Sequence, residues 1–552
     1  MIRRSTIALL CLGLWVAAPA RAELPGDPPA VAVPGTVAAP EAPSVAIEPV
    51  QGFSGDLAAL LADSAVADRL AGLGIDPGLL QAFYAGRANR ALWVQDGGLA
   101  PTGVAPLRTL EAAASGGLAA VRQAVLRIDL LAGATDPASL GELELLLTGA
   151  LAEAAYRAEE AFAGRSRAEL LDEIDETDLA GSVAALLPAQ PEFWALAEAF
   201  HAYSAIAVAG GWGRVPEGPK LEAGMRDPRI PALRARLAAT DGAAVDVAEP
   251  DLFDADLQAA AERFQRRHGL GDDGVVGFKT IETLNVPVED RLRAIAFNLQ
   301  KLFDKRRDWG DRYIYVNIAG AELTYVDRGQ VQTHVRTVVG RTDRPTPELD
   351  SEINRLEFNP FWTVPSKIAR VDLLPKVQSN PGFFAEHNIR VYTSWVEDAN
   401  EIDPSTVDWF SPEAKAMRYR LKQDPGPENA LGPVKLLFPN QYDVYIHGTP
   451  HQELFVKPAR YFSSGCIRVK EPLDLAAMVL SDDPVWDRGK IDATVAGGRN
   501  TSVPLQRPLP VHLDYRTVWV DAEGLLQIRD DIYRRDRLPA TVAIAQAAAA
   551  AK

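Results

Sequence analysis

Basic charge, cysteine and long apolar runs are all scarce in this sequence, and each shortage removes a class of function. Lysine and arginine number 57 against 74 aspartates and glutamates, for a net charge of −17. Nucleic-acid binding depends on cations that neutralise phosphates, so no nucleic-acid partner is expected. Beyond the first residues, no stretch approaches the roughly 20 consecutive apolar residues that span a bilayer, and the mature chain is expected to be soluble. Cysteine occurs twice, as Cys11 and Cys466. With no second cysteine near Cys466 a dithiol redox pair is excluded, and there is no H-E-x-x-H zinc motif. His447 and His451 are four apart, but Gly448-Thr449-Pro450 between them forbids a helix, so no metal and no cofactor is expected.

What is present is a long, organised chain. Its 552 residues and 47% apolar content suffice for about two to four packed domains. Met1-Ile2-Arg3-Arg4, an apolar run from Ile7 to Ala18, and Ala20-Arg21-Ala22 have the anatomy of an export signal, expected to occupy residues 1–22 and to send the protein to the periplasm. Cys11 lies within it. The mature chain then keeps one thiol, Cys466, in a compartment where lone thiols are open to oxidation, and this invites a chemical role for it.

Residues 23–50, rich in Pro, Ala and Val, are expected to form an extended tether. Residues 51–238 show helical apolar spacing, as in Leu57-Leu60-Leu61 and Leu143-Leu145-Leu146-Leu147, and are assigned to a helical scaffold domain whose Phe83, Tyr84 and Trp93 belong to the core. After a boundary at Ala239 to Pro250, residues 250–290 form a compact unit. In it Leu257, Ala260 and Phe264 mark a helix that Gly269 stops, Asp272-Asp273-Gly274 turns, and Phe278 to Asn285 is a second helix. The F-Q-x-x-H-G-L, D-G-x-x-G and T-x-x-x-L-N sequences of this unit resemble the small peptidoglycan-binding domain family.

From Asp311 the period becomes two. Tyr313 to Ile318 and Glu322 to Val326 read as strands, Asp327-Arg328-Gly329-Gln330 as a hairpin turn, and Gln441 to His447 as a further strand that delivers His447 at its end. A β-rich domain is assigned to residues 310–537, with an insertion at residues 386–432 expected to act as a lid, and residues 538–552 are a disordered tail. The fold class is therefore α+β, multidomain.

The informative chemistry lies in Tyr445-Ile446-His447-Gly448-Thr449-Pro450 and Phe462-Ser463-Ser464-Gly465-Cys466-Ile467-Arg468-Val469. An imidazole at a strand end can take the thiol proton and yield the nucleophilic thiolate. Ser463, Ser464 and Gly465 are small enough for a carbonyl to approach, and amides near Gly465 and Cys466 can point at a developing oxyanion. Arg468 can hold a carboxylate and favour the thiolate. Papain-like proteases place cysteine before histidine, and sortases place histidine much further upstream.

These two sequences resemble the YkuD-type L,D-transpeptidase family, in particular its large periplasmic, YcbB-like branch. Further stretches carry the likeness: Gly340-Arg341-Thr342 with Thr346-Pro347, Phe358 to Pro365, Leu431 to Lys435, Phe438-Pro439-Asn440 and Asp530 to Tyr533. The resemblance implies Cys466 as nucleophile and His447 as general base. Gly465 and the Tyr445 hydroxyl would lie near the oxyanion, with Ser464, Arg468 and Gly448 lining the substrate site. Ser464 stands where many members carry a second histidine, and the group that orients His447 stays open. Implied partners are peptidoglycan stem peptides, with other cell-wall synthesis proteins as a further class, and a monomer is expected. The implied reaction is attack on a tetrapeptide stem at diaminopimelate, release of D-Ala, and a 3→3 cross-link; carbapenems would acylate the same thiol. An L,D-carboxypeptidase and a non-catalytic peptidoglycan-binding scaffold are the alternatives.

Overall fold

The computed structural model describes residues 52–115, 119–159, 166–172, 191–304 and 309–536. The expected signal, tether and tail lie outside them. The described residues before Ala209 are mainly helical, apart from a small hairpin, β1 (Val94–Gln95) and β2 (Gly98–Leu99). The helix Pro137–Glu159 runs through their middle, and its Leu143, Leu145, Leu146 and Leu147 are all fully buried. Such all-round burial is what a helix apolar on every face requires. Phe83, Tyr84 and Trp93 are core residues, as expected. Among the described residues no helix is long and apolar enough to cross a membrane.

The next unit begins earlier than the sequence suggests. The helix Ile230–Asp241, expected to close the scaffold, shares one core with the helices Ala255–Arg267 and Phe278–Leu284: Leu221, Ile230, Leu233 and Leu237 pack with Leu257, Phe264 and Ile281. The stretch at 239–250 is thus the end of this helix and the loop after it, within the unit and not its border. Gly269, at φ +64°, ends the second helix as its position predicts.

From Tyr313 the chain builds a closed sheet. Its strands are β3 (Tyr313–Asn317), β4 (Glu322–Asp327), β5 (Gln330–Gly340), β6 (Leu349–Phe358), β11 (Val434–Leu437), β12 (Ile446–His447), β13 (Tyr461–Ser463), β14 (Ile467–Val469) and β15 (Thr501–Asp514). The order is β13-β5-β14-β12-β11-β6-β15-β3-β4, and β4 pairs back onto β5 to close the ring. Arg328 and Gly329, at φ +54° and +69°, make the two-residue turn between β4 and β5. Alternate residues such as Ile314, Val316, Leu356, Leu436, Ile446 and Ile467 fill the interior.

Between β6 and β11 an inserted unit carries a sheet of its own: β7 (Trp362–Thr363), β8 (Ile389–Tyr392), β9 (Glu401–Ile402) and β10 (Arg420–Gln423), in the order β7-β10-β8-β9. Val364, Phe384, Val391, Trp409 and Leu421 form its separate core. It therefore opens at Trp362 rather than Glu386, because β7 pairs with β10. The last hairpin, β16 (Val518–Val520) with β17 (Leu526–Ile528), leaves the closed sheet. Its Val518, Leu526 and Ile528 join the helical core instead.

Candidate active site

Two short neighbouring strands build the site. β12 and β14 run parallel with Ile446 opposite Ile467 and His447 opposite Arg468. Ile446 and Ile467 point into the core with no exposure. Because side chains alternate, His447 with Tyr445, just before β12, and Arg468 with Cys466, just before β14, share the opposite face. The backbone bond from Ile467 N–H to the Tyr445 carbonyl, 3.1 Å, locks this register.

The strand carrying His447 is shorter than its alternation predicts. Asp443 takes a left-handed φ of +54°, and Asn440 braces the turn, accepting from Val444 N–H at 3.1 Å and donating to the Val444 carbonyl at 2.8 Å. Residues 441–444 are thereby a clamp before the strand.

His447 is buried, and its Nδ1 lies 2.5 Å from the Gly448 carbonyl. A carbonyl only accepts, so Nδ1 carries the proton and Nε2 keeps its lone pair as a base. This backbone carbonyl, with that of Leu431 also against the ring, is the orienting contact that the sequence left open. Gly448 cannot gain a side chain easily, since a Cβ there would stand 3.0 Å from Pro433 Cδ and 3.1 Å from Pro472 Cγ.

Burial, with the nearby Arg468 cation, depresses His447 to about 3. Burial also pushes the Cys466 thiol up to about 11, although the Tyr445 amide, Arg468 and the Tyr445 hydroxyl all favour the thiolate. At neutral pH the pair is thus thiol and imidazole, both uncharged, and not an ion pair. Burial likewise raises Tyr445, which keeps its phenol a hydrogen-bond donor. The Arg468 Nε is buried and finds no hydrogen-bond partner among the described residues.

These values predict the behaviour of the free enzyme. Since a thiol raised to about 11 stays protonated below that pH, alkylation of Cys466 by iodoacetamide should climb roughly tenfold per unit from about pH 7 to 10. A plateau near neutrality would disprove the uncharged pair.

The loop before Cys466 is held from several sides. Gly465 has φ +119°, a conformation strained for any residue with a Cβ. Ser463 Oγ donates to the Cys466 carbonyl at 2.6 Å and accepts from Gly465 N–H at 3.1 Å. The Gly465 amide, expected to face an oxyanion, is therefore turned inward and engaged. Thr346 Oγ1 donates to the Gly465 carbonyl at 2.8 Å, and Tyr533 donates to the Gly340 carbonyl at 2.5 Å. Ser464 accepts from Arg344 Nη1 at 2.9 Å, and Arg344 also pairs with Asp372 of the inserted unit, Nη2 to Oδ1 at 3.1 Å.

Arg344, Asp372 and Asn440 had no assigned role from sequence. Arg344 lies between Gly340-Arg341-Thr342 and Thr346-Pro347, but only the fold brings it to Ser464. Removing this link, as in Arg344→Leu, is expected to cost about 1–3 kcal/mol of loop positioning. That should appear as a roughly tenfold or greater fall in kcat/KM, with Arg344→Lys retaining part of the activity. Full activity in Arg344→Leu would refute the positioning role.

The closed sheet thus brings one thiol, just before β14, next to the strand that carries one neutral imidazole. Residues 311–486 match the family described as "L,D-transpeptidase catalytic domain". Residues 78–166 match "Scaffold domain", and residues 226–284 match "Putative peptidoglycan binding domain". A Haemophilus influenzae protein named "Putative L,D-transpeptidase" is 34% identical over 224 residues, which is 41% of this chain and 44% of that protein. The chain thus spans less than half of that relative in the match. Two crystal structures of L,D-transpeptidases are also similar. The one from Xylanimonas cellulosilytica is 16% identical over 54% of this chain and 99% of its own, with a TM-score of 0.18. The one from Stackebrandtia nassauensis is 14% identical over 55% and 97%, with a TM-score of 0.20. Residues 311–486 are thus similar to L,D-transpeptidase catalytic domains, and residues 226–284 to peptidoglycan-binding domains.

Proposed function

We propose that the protein is a periplasmic L,D-transpeptidase that makes 3→3 cross-links in peptidoglycan through a thioester on Cys466. The observation that carries this reading is the grouping of His447 and Arg468, paired across β12 and β14, with Tyr445 and Cys466, which immediately precede those strands. In the first half-reaction His447 Nε2 takes the thiol proton as sulfur attacks the diaminopimelate carbonyl of a tetrapeptide stem. The Tyr445 hydroxyl donates to the oxyanion, and His447 returns the proton to the departing D-Ala amine. The unpaired Nε of Arg468 offers a charged donor for a carboxylate of the donor stem. In the second half-reaction an amine of another stem attacks the thioester.

The inserted unit, tied to the cysteine loop through Asp372 and Arg344, is read as a cover that limits water at the thioester. The small helical unit is read as the part that holds peptidoglycan near the site. The test is intact-protein and product mass spectrometry with a disaccharide tetrapeptide, with and without a second stem as acceptor. An adduct at Cys466 lacking the terminal D-Ala, followed by a cross-linked dimer, is expected. Hydrolysed donor alone, even with acceptor present, would make the enzyme an L,D-carboxypeptidase.

A further inference from the structure

The row of side chains that contains His447 continues past it across the sheet. Lys435 on β11 is the cross-strand partner of His447, and Glu357 on β6 is the partner of Lys435. All three project from the same face, since Leu356, Leu436 and Ile446 between them point into the core. Lys435 Nζ lies 2.8 Å from Glu357 Oε2, and Asn500 Nδ2 donates to Glu357 Oε1 at 2.9 Å. The Lys435 ammonium also stands 5.7 Å from the centre of the Tyr445 ring. The two charged side chains keep 16% and 19% exposure, so a ligand can reach them.

An ion pair so placed adds little to folding, because the cost of desolvation offsets most of the attraction. The stability of this part of the sheet comes from the apolar face. On the polar face, by contrast, two cations flank His447 across the sheet: Arg468 on β14 and Lys435 on β11.

We propose that Lys435, aimed by Glu357 and Asn500, binds the carboxylate next to the reacting amine of the acceptor stem, and so selects diaminopimelate over a plain side-chain amine. This rests on the transpeptidase reading above. The second centre of diaminopimelate carries its amine and a carboxylate on one carbon. Anchoring the carboxylate at Lys435 holds the amine on the same carbon close by, over His447, with the donor carboxylate kept apart at Arg468. The amine nitrogen then bonds to the acyl carbon and the C–S bond breaks, with its electron pair left on sulfur. The proton shed by the amine passes through His447 to that thiolate.

The experiment loads Cys466 with a tetrapeptide donor and chases the acyl-enzyme with two tripeptide stems, one ending in meso-diaminopimelate and one in lysine, which has the amine without the carboxylate. The unaltered protein should consume the acyl-enzyme at least tenfold faster with diaminopimelate. Lys435→Met should reduce that preference to twofold or less, chiefly through the acceptor KM, while Lys435→Arg should keep most of it. A merely structural role would slow both acceptors alike and leave the ratio intact, and that result overturns the proposal. So does equal use of both acceptors by the unaltered protein, which needs no variant to fold. Absence of any acyl-enzyme in the unaltered protein would instead overturn the transpeptidase reading, and this inference with it.

Discussion

Cys466→Ala is expected to leave no acyl-enzyme and no turnover, because among the described residues this is the single cysteine. His447→Ala should lose at least about 10³-fold in kcat, since the thiol it serves is held protonated by burial and needs a base at the moment of attack. Nucleophile and base act as a unit, so the double variant should be scarcely slower than Cys466→Ala alone. Both proteins should fold. Cys466 is half-buried, and truncating the His447 ring gives up its hydrogen bond to the Gly448 carbonyl without removing a large apolar side chain from the core. Steady-state rates and unfolding curves on the three variants check this. A His447→Ala protein that keeps more than about a tenth of the activity would remove the histidine from its role as base.

The largest expected effect on stability lies far from the thiol, at Arg267. Its guanidinium donates to the Tyr203 hydroxyl at 2.8 Å, the Thr240 carbonyl at 2.8 Å, Asp241 Oδ1 at 3.0 Å and the Leu526 carbonyl at 3.0 Å. Tyr203 belongs to the helix Pro191–Val208, Asp241 to the peptidoglycan-binding unit and Leu526 to the β16–β17 hairpin. One buried side chain therefore joins three parts of the molecule. Arg267→Ala would strand the Asp241 carboxylate, whose side chain is fully buried, at a cost of about 3–5 kcal/mol. Urea unfolding should show that loss, and proteolysis should release the peptidoglycan-binding unit sooner than in the unaltered protein. Arg267→Lys should recover only part of the stability, since a single ammonium cannot reach partners on all three sides. A loss under about 1 kcal/mol in Arg267→Ala would show that the junction is held elsewhere.

Local chemistry is legible in the linear order of residues. The change of period at Asp311 marks where strands begin, and Arg328-Gly329 names its own turn because both residues must accept a positive φ. Gly269 ends its helix where predicted, and the apolar spacing places Phe83, Tyr84 and Trp93 in a core. Cys466, His447, Tyr445 and Arg468 stand out because reactive side chains in a short, distinctive segment carry their chemistry with them.

What the linear order could not determine was which distant backbone meets which. The carbonyl that orients His447 belongs to its own neighbour, Gly448, and every residue has a carbonyl, so no residue type announces it. Boundaries failed for a similar reason. The helix Ile230–Asp241 looks no different from a scaffold helix until its leucines are seen to share a core with Phe264, and Trp362 joins the inserted unit only through pairing with Gln423. Arg344, Lys435 and Arg267 are ordinary cations in sequence. They acquire partners at Ser464, Glu357 and Tyr203 only when the chain closes on itself. The linear order names the candidate reacting groups and the kinds of elements that carry them, since these depend on side-chain chemistry and local backbone preference. How those groups are aimed, neutralised and tied to the rest of the molecule follows from the folded chain, because burial and hydrogen bonding are properties of neighbours far apart along it.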